Sequence, residues 1–459
     1  MAHRFDPSLL RDYDMRGIVG ETLGAADGYA VGRSFGTLIV RAGGRRAVVG
    51  YDGRLSSAML EDAVVRGLID SGVQVDRIGL GPTPMLYHAQ AVLDVDGGIQ
   101  VTGSHNPADH NGFKLMFQGE AFFGEAIQRL GAMAAAGDWA SGRGDAAPVA
   151  MLDRYVARLV EGFDGAPCRI GWDAGNGAAG PAVEKLVKLL PGEHHLLFTD
   201  IDGNFPNHHP DPTIEANLVD LKALVTDKKL DFGVAFDGDG DRIGVVDALG
   251  RSISGDQLLA LLAEPLLRDR PGATIIADVK ASQALFDRVA ELGGTPLMWK
   301  AGHSHIKSKM KETGCLLAGE TSGHLFFGAP YHGVDDGLYA AVQLIRAATA
   351  LGRSVTALHD GLPVMANTPE LRFPVAAARK FAVVDAVRAR LEAAGADVDV
   401  TDGVRVRTAE GWWLLRASHT QDMLTARVEA RDREALNQLI RVLDSHLAAC
   451  GISRIDPAA

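Results

Sequence analysis

Residues 47–72 read "AVVGYDGRLSSAMLEDAVVRGLIDSG". An apolar run ends in Asp52, a polar turn follows, and apolar residues then recur at helical spacing. A strand leading into a helix is half of a βαβ unit. The arrangement occurs twice more. "RIGWDAGNGAAG" closes its apolar run with Asp173 and leads into "PAVEKLVKLL". "TIIADVKAS" closes with Asp278 and leads into "QALFDRVAELGG". A second strand-like segment follows each of these and runs into a polar loop: "GGIQVTGSHNP", "DFGVAFDGDGDR" and "CLLAGETSGH". The separations within the three pairs differ, so the likeness is structural and not a sequence repeat. The pattern predicts an α/β protein with three related α/β domains around a central cleft. Each should offer a loop at the carboxyl end of a strand, where ligands bind in such sheets.

Beyond residue 366 the pattern changes. "GVRVRTAEGWWLLRASHT" reads as a hairpin with Gly411 near its turn, and "MLTARVEA" as another alternating strand. "DREALNQLIRVLDSHLAAC" reads as an amphipathic helix with Asp432 as N-cap. This predicts a smaller C-terminal α+β domain with an antiparallel sheet. The expected domains are 1–150, 151–252, 253–366 and 367–459. The small-residue stretch "GDWASGRGDAAP" and the turn "PVMANTPE" mark the first and last boundaries.

The 459 residues alone suggest about three domains. Lys and Arg total 46 against 58 Asp and Glu, a net charge of −12. That balance disfavours general nucleic-acid binding, which needs a basic surface to displace counterions. An anionic small molecule stays compatible, because one cleft can be locally basic. Apolar residues at 47% suffice for several cores, and 54 glycines imply loops that need permissive backbone or approach a ligand closely. Cys168, Cys315 and Cys450 show no CxxC spacing, hence no disulfide framework or zinc site. The first residues carry no apolar signal segment, and no run approaches the ~18 apolar residues of a membrane helix. The expectation is a cytoplasmic protein with no membrane partner.

The polar loops carry the chemistry. In "DGDGDR", Asp237, Asp239 and Asp241 alternate with glycines directly after a strand. Three converging like charges need a cation, and hard oxygen ligands imply Mg²⁺ or Ca²⁺. An EF-hand is excluded, because its sixth position is Arg242 and its twelfth Ala248. In "VTGSHNPADHNGFK", Ser104 lies between a glycine and a histidine, with Lys114 ten residues on. The hydrolase elbow needs glycine two before and two after the serine; here stand Thr102 and Asn106. Acyl transfer is therefore disfavoured. A phosphoryl-accepting serine, or a serine that only satisfies a turn, both fit the loop alone.

"GETSGH" offers Glu320, Ser322 and His324, a set suited to sugar hydroxyls or to capping a helix. "KAGHSH" offers Lys300, His303 and His305; without a third ligand, His303 fits acid–base or hydrogen-bonding duty better than metal binding. "RASHT" places Arg416, Ser418 and Thr420 after a strand, a possible phosphate cradle if other loops require an anion. "GNGAAG", with Gly175, Gly177 and Gly180, matches a dinucleotide fingerprint, with Asp200 where a ribose-binding acid would sit. That reading leaves the aspartate and Ser104 loops unexplained, so a tight strand-to-helix turn is preferred.

Together, "TGSHNP", "DGDGDR" and "GETSGH", running in order from "YDMRG" to "RASHT", resemble the α-D-phosphohexomutase family, most closely its bacterial phosphomannomutase/phosphoglucomutase branch. The resemblance implies a phosphoserine at Ser104 and Mg²⁺ held by Asp237, Asp239, Asp241 and the serine phosphate. It implies that Tyr13, Arg16, Lys114 and Arg242 flank the reacting group. Lys280 and His303 would contact substrate, Glu320 and Ser322 would read sugar hydroxyls, and His324 would stand beside the reaction centre. Arg416, Ser418 and Thr420 would clamp the distal phosphate, and His419, a departure from the family pattern, is expected to contribute to that clamp. The activity implied is reversible conversion of hexose 1-phosphate and hexose 6-phosphate through a 1,6-bisphosphate. Glucose 1,6-bisphosphate would serve as activator and intermediate, and the enzyme would be a monomer or homodimer.

Two residues depart from the family's fourth-domain pattern: His419 stands where asparagine is usual, and Asp422 where proline is common. "GETSGH" fits the glucose/mannose branch better than the glucosamine branch, where glutamine commonly follows the glutamate. A phosphoglucosamine mutase and a non-catalytic sugar-phosphate-binding protein are the alternatives.

Overall fold

Each aspartate-terminated segment forms a strand inside its own sheet: Arg46–Tyr51, Cys168–Asp173 and Thr274–Asp278. On one side it pairs in parallel with the strand after its helix, Gln74–Leu80, Gly192–Leu197 or Thr295–Trp299. On the other it pairs in parallel with Gly97–Val101, Phe232–Phe236 or Leu317–Gly319. An antiparallel strand then follows each polar loop: His110–Phe117, Ile243–Asp247 and Leu325–Phe327. The loops 102–109, 237–242 and 320–324 thus occupy equivalent places in three sheets. The structure, a computed structural model, describes residues 2–418 and 422–454.

The repeated aspartates explain why these loops are held so closely. A buried carboxylate must collect donors, and each of these collects them from two chain segments. Asp52 accepts from the backbone N–H of Arg54 and of Gly103, both at 3.0 Å, and from Thr102 Oγ1 at 2.8 Å. Asp173 accepts from Gly175 N at 2.9 Å and lies 3.0 Å from His208 Nε2. Asp278 accepts from Lys280 N at 3.2 Å and from Thr321 Oγ1 at 2.9 Å. In the first and third units, the carboxylate therefore ties the turn after its own strand to the functional loop beside it.

The C-terminal sheet is antiparallel and runs in the order Ala366–Asn367, Met423–Ala430, Gly411–Ala417, Val404–Thr408, Val398–Asp399. The hairpin closes with Thr408 opposite Gly411, and Asp432 caps the last helix by accepting from Ala435 N at 2.9 Å. This unit docks on the third through polar groups. Arg405 Nη1 donates to the carbonyls of Val279 at 2.8 Å and Ala281 at 3.0 Å. Glu429 accepts from Ser282 Oγ at 2.9 Å and Gln283 N at 3.0 Å.

One continuous apolar core spans the second and third units and includes Met85 and Leu86 of the first. Separate cores fill the rest of the first unit, around Phe35 and Phe113, and the C-terminal unit, around Trp413 and Phe373. Some glycines serve helix packing and not ligand approach. A Cβ at Gly32 would collide with the carbonyl of Val64, and one at Gly67 with that of Tyr29. Helices Ala25–Arg41 and Ser57–Asp70 can approach closely only because both residues lack side chains. Cys168, Cys315 and Cys450 are free thiols. Among the described residues, no helix is long and apolar enough to cross a membrane.

The junction of the first three units should be acid-sensitive. His88 is buried there, with Nδ1 3.3 Å from His332 Nε2. Burial, then His332, Arg154 and Arg158, push the His88 imidazole down to about 4. A histidine depressed on folding stabilises the protein above its ordinary value near 6.5, and that contribution is lost as pH falls towards 4. Denaturant melts between pH 7 and 4 should show this loss, and His88→Gln should lessen it. An unchanged slope in the variant would exclude His88 as the source.

Candidate active site

A cleft of about 860 Å³ opens where the four units meet. Ser104 contributes from the first, Arg242 from the second, His324 from the third and Arg416 from the fourth. Ser104 has φ +48°, a left-handed conformation that costs a non-glycine residue roughly 1 kcal/mol or more. Its N–H donates to Thr102 Oγ1 at 2.8 Å, and its Oγ donates to Asp237 Oδ2 at 2.7 Å. His105, half-buried beside it, places Nδ1 3.2 Å from the same Oγ.

The three aspartates of "DGDGDR" lie beneath the cleft floor, fully buried, with carboxylate oxygens within 4.8 Å of one another. The glycines make this possible. Gly240 takes φ +72°, and Gly238 passes so close to the Ser104 carbonyl that a Cβ would collide with it. Lys114 Nζ lies 2.8 Å from Asp239 Oδ2 and also pairs with Asp241. Thr83 Oγ1 donates to Asp239 Oδ2 at 2.5 Å. Burial, reinforced by Asp239 and Asp241, pushes the Asp237 carboxyl well up. Burial pushes the same way on Asp239 and Asp241, but Lys114 outweighs it with Arg16 at Asp239 and with His324 at Asp241, so both are lowered.

The cluster suits a small divalent cation. Its donors are hard oxygens, and Asp239 Oδ1 is buried without a hydrogen-bond partner among the described residues. Asp237, Asp239 and Asp241 can therefore hold a metal ion. Asp241, His324 and Asp335 also come within reach of one another, but Arg242 Nε faces His324 Nε2 at 3.2 Å. Arg242 donates to that nitrogen, so it is not free to ligate a cation in this second grouping.

The third unit supplies a polar wall. Glu320 accepts from Gly302 N at 2.6 Å and lies 3.1 Å from His324 Nδ1. Ser322 Oγ is also 3.1 Å from that nitrogen, while His324 Nε2 is 3.3 Å from Asp241 Oδ1. Burial and Arg242 oppose a charge on His324, yet Asp241 and Glu320 prevail and raise it to about 9. His303 stacks on it, ring centres 5.7 Å apart, and is held well below its ordinary value by burial and then by Lys307. Burial thus favours the neutral form of His303, whereas Asp241 and Glu320 favour the charged form of His324. Lys280 lines the same cleft, 3.6 Å from Asp278.

Two of the arginines lining the cleft, Arg16 and Arg416, each keep a buried N–H group without a partner among the described residues. Arg16 is fixed by Asp14 through Nε at 2.8 Å, leaving Nη1 without a partner. Arg416 is fixed by Asp402 at 2.8 Å, leaving Nε without one. Tyr13 bridges towards the third unit, donating to the Ala301 carbonyl at 3.1 Å. Ser418 lines the cleft.

Four family profiles match this chain in sequence order. They are phosphoglucomutase/phosphomannomutase alpha/beta/alpha domain I at residues 7–140, domain II at 153–250, domain III at 254–364 and the C-terminal domain at 370–444. The chain belongs to the phosphoglucomutase/phosphomannomutase family. A phosphomannomutase/phosphoglucomutase of Pseudomonas aeruginosa is 42% identical over 443 residues, 96% of each chain. A phosphoglucomutase of Neisseria gonorrhoeae is 42% identical, covering 94% of this chain and 95% of its own. The crystal structure of a phosphoglucomutase/phosphomannomutase family protein from Burkholderia thailandensis superposes with a TM-score of 0.93, at 42% identity over 97% of this chain and 98% of that one.

In this family member, the residues singled out by sequence largely meet. Tyr13, Arg16, Ser104, Lys114, Arg242, Lys280, His303, Glu320, Ser322, His324, Arg416 and Ser418 face one cleft over the buried aspartates. His419 and Thr420 lie outside the described residues. His305 turns away, 3.8 Å from Asp12 and edge-on to Phe123, and Lys300 is exposed. The "GNGAAG" loop is a turn that carries the aspartate loop: Ala178 N donates to the Gly238 carbonyl at 2.9 Å. Asp200 offers its carbonyl to Asn176 Nδ2 at 2.8 Å. The residues that sequence reading missed are supports: Asp14, Thr83, Thr102 and Asp402. Of these, only Asp14, two residues before Arg16, had a local signal.

Proposed function

We propose that this protein is a phosphomannomutase/phosphoglucomutase that interconverts hexose 1-phosphates and hexose 6-phosphates of glucose and mannose. One observation carries the reading: Ser104 Oγ stands 2.7 Å from Asp237, above a buried carboxylate cluster faced by Lys114, Arg16 and Arg242. Such a serine is placed to hold a phosphoryl group among cations. Asp237, Asp239 and Asp241, with the phosphate on Ser104, would hold Mg²⁺, which when bound supplies charge neutralisation beside the transferring group.

Phosphorylated Ser104 gives its phosphoryl group to the free hydroxyl of a bound hexose phosphate. The P–Oγ bond breaks, the P–O bond to the sugar forms, and the hydroxyl proton leaves to a base. His303, held neutral, is suited to take that proton, and Lys114, Arg16 and Arg242 hold the negative oxygens. The 1,6-bisphosphate then turns end for end, and its other phosphate returns to Ser104. Glu320 and Ser322 orient the sugar hydroxyls. Arg416 and Ser418, with His419 and Thr420, hold the distal phosphate. The N–H groups of Arg16 and Arg416 that lack a partner among the described residues support two separate anion positions. The four units, divided near residues 150, 252 and 366, each bring one loop to this cycle. Glucose 1,6-bisphosphate would prime the enzyme, which we place in the cytoplasm as a monomer or homodimer.

The names of the relatives, together with Thr321 after Glu320, support glucose and mannose substrates over glucosamine. A coupled assay with Mg²⁺ and glucose 1,6-bisphosphate should show turnover of both glucose 1-phosphate and mannose 1-phosphate. Turnover confined to glucosamine phosphate would overturn the substrate assignment.

A further inference from the structure

Under the Ser104 loop lies a guanidinium that the mechanism above leaves without a part. Arg54 is 3% exposed and does not line the cleft. Its Nη2 donates to the carbonyls of Ser104 at 2.7 Å and Asn106 at 2.5 Å. Its Nη1 donates to those of Pro107 at 2.5 Å and His110 at 2.8 Å. One planar group therefore ties four carbonyls on both limbs of the loop. The rigid fork of a guanidinium suits this, and a lysine ammonium does not. Arg54 is itself held: Nε is 3.4 Å from Asp52 Oδ2, and the Phe205 ring of the second unit lies 5.2 Å from the guanidinium carbon. Gly103 leaves it room, since a Cβ there would strike Arg54 Nε.

The grip falls on the peptide that aims the serine. Ser104 sits at φ +48°, which L-residues rarely adopt unless the surroundings enforce it. Its carbonyl is held by Arg54 and also pressed by Gly238 of the aspartate loop, where a Cβ would collide. The direction of Oγ towards Asp237 follows from that fixed peptide. We propose that Arg54 is a positioning residue for phosphoryl transfer: its fork fixes the backbone at Ser104 so that Oγ keeps its register against the aspartate loop. This inference rests on the reading of Ser104 as phosphoryl carrier.

The test uses the full-length Arg54→Ala and Arg54→Lys variants, with thermal melts to confirm folding. A misaimed carrier should lower kcat about 10- to 100-fold, because ångström displacements at a reacting atom cost that much. KM for hexose phosphate should change by less than about threefold, since the sugar contacts remain. Guanidinium ion at low millimolar concentration should restore part of kcat to Arg54→Ala and none to wild type. Arg54→Lys should stay slow, and it carries the kcat and KM comparison if the alanine variant does not fold. Wild-type kcat in a folded variant, a loss carried by KM, or a loss in Arg54→Ala that guanidinium leaves unchanged would overturn the inference. A wild-type enzyme without mutase turnover would overturn the functional reading, and this inference with it.

Discussion

Ser104→Ala should abolish mutase turnover, lowering kcat by at least about a thousandfold, as removal of a covalent nucleophile does. The cycle needs an atom that gives one phosphoryl group and receives another, and the Ser104 oxygen is the one facing the carboxylate cluster. The loss should not reflect unfolding. The hydroxyl makes one short hydrogen bond, to Asp237, and its removal should cost about 1 kcal/mol. The left-handed backbone is held by Thr102, Asp52 and Arg54, none of which contacts the hydroxyl's donor bond. Thermal melting should therefore shift by only a few degrees, and hexose phosphate should still bind. Steady-state kinetics beside calorimetric binding would separate the two effects. Full turnover by the folded alanine variant would refute the mechanism.

Lys114→Met should be the most damaging change outside the serine. Its ammonium is 5% exposed and pairs with both Asp239 and Asp241. Burial would strip its proton, but the two carboxylates hold it protonated, above the ordinary lysine value. Removing this cation leaves buried like charges uncompensated, which costs about 3–5 kcal/mol when one partner of a buried pair is lost. The metal-free variant should melt well below wild type. Added Mg²⁺ should recover part of the deficit, because a ligand bound only by the folded state stabilises it. Turnover should fall about 10²- to 10³-fold even with saturating metal, as expected for loss of one preorganised charge at a transferring group. Melting curves with and without Mg²⁺ check the first part and kcat the second. A variant equally stable and equally active would show that Lys114 merely fills space.

The three α/β sheets were legible because each contains an apolar strand closed by aspartate, and that aspartate is the anchor of its loop. Asp52, Asp173 and Asp278 can be read directly, but not what they bind, since Thr102 and His208 come from distant strands or loops. The chemistry was legible where it is contiguous, as in Asp237, Asp239 and Asp241. The supports were not: Thr83 meets Asp239 across 156 positions, and Thr102 meets it across 137. Arg54 was visible only as part of a turn, because the four groups it ties in the Ser104 loop are backbone carbonyls that carry no residue signature. Glycine misled in one respect, since Gly32 and Gly67 serve a helix contact and no ligand. His303 and His305 looked alike in "KAGHSH"; two residues along a helix point in different directions, and only His303 faces the cleft.

The central claim is that Ser104 carries the phosphoryl group. Peptide mass analysis of the wild-type enzyme after incubation with glucose 1,6-bisphosphate and Mg²⁺ tests it most directly. The account predicts one phosphate on the peptide containing Ser104; when that phosphate is isotopically labelled and unlabelled hexose phosphate is added, the label passes to the sugar and unlabelled phosphate replaces it on Ser104. Phosphate on another residue, or sustained turnover with Ser104 never modified, would contradict it.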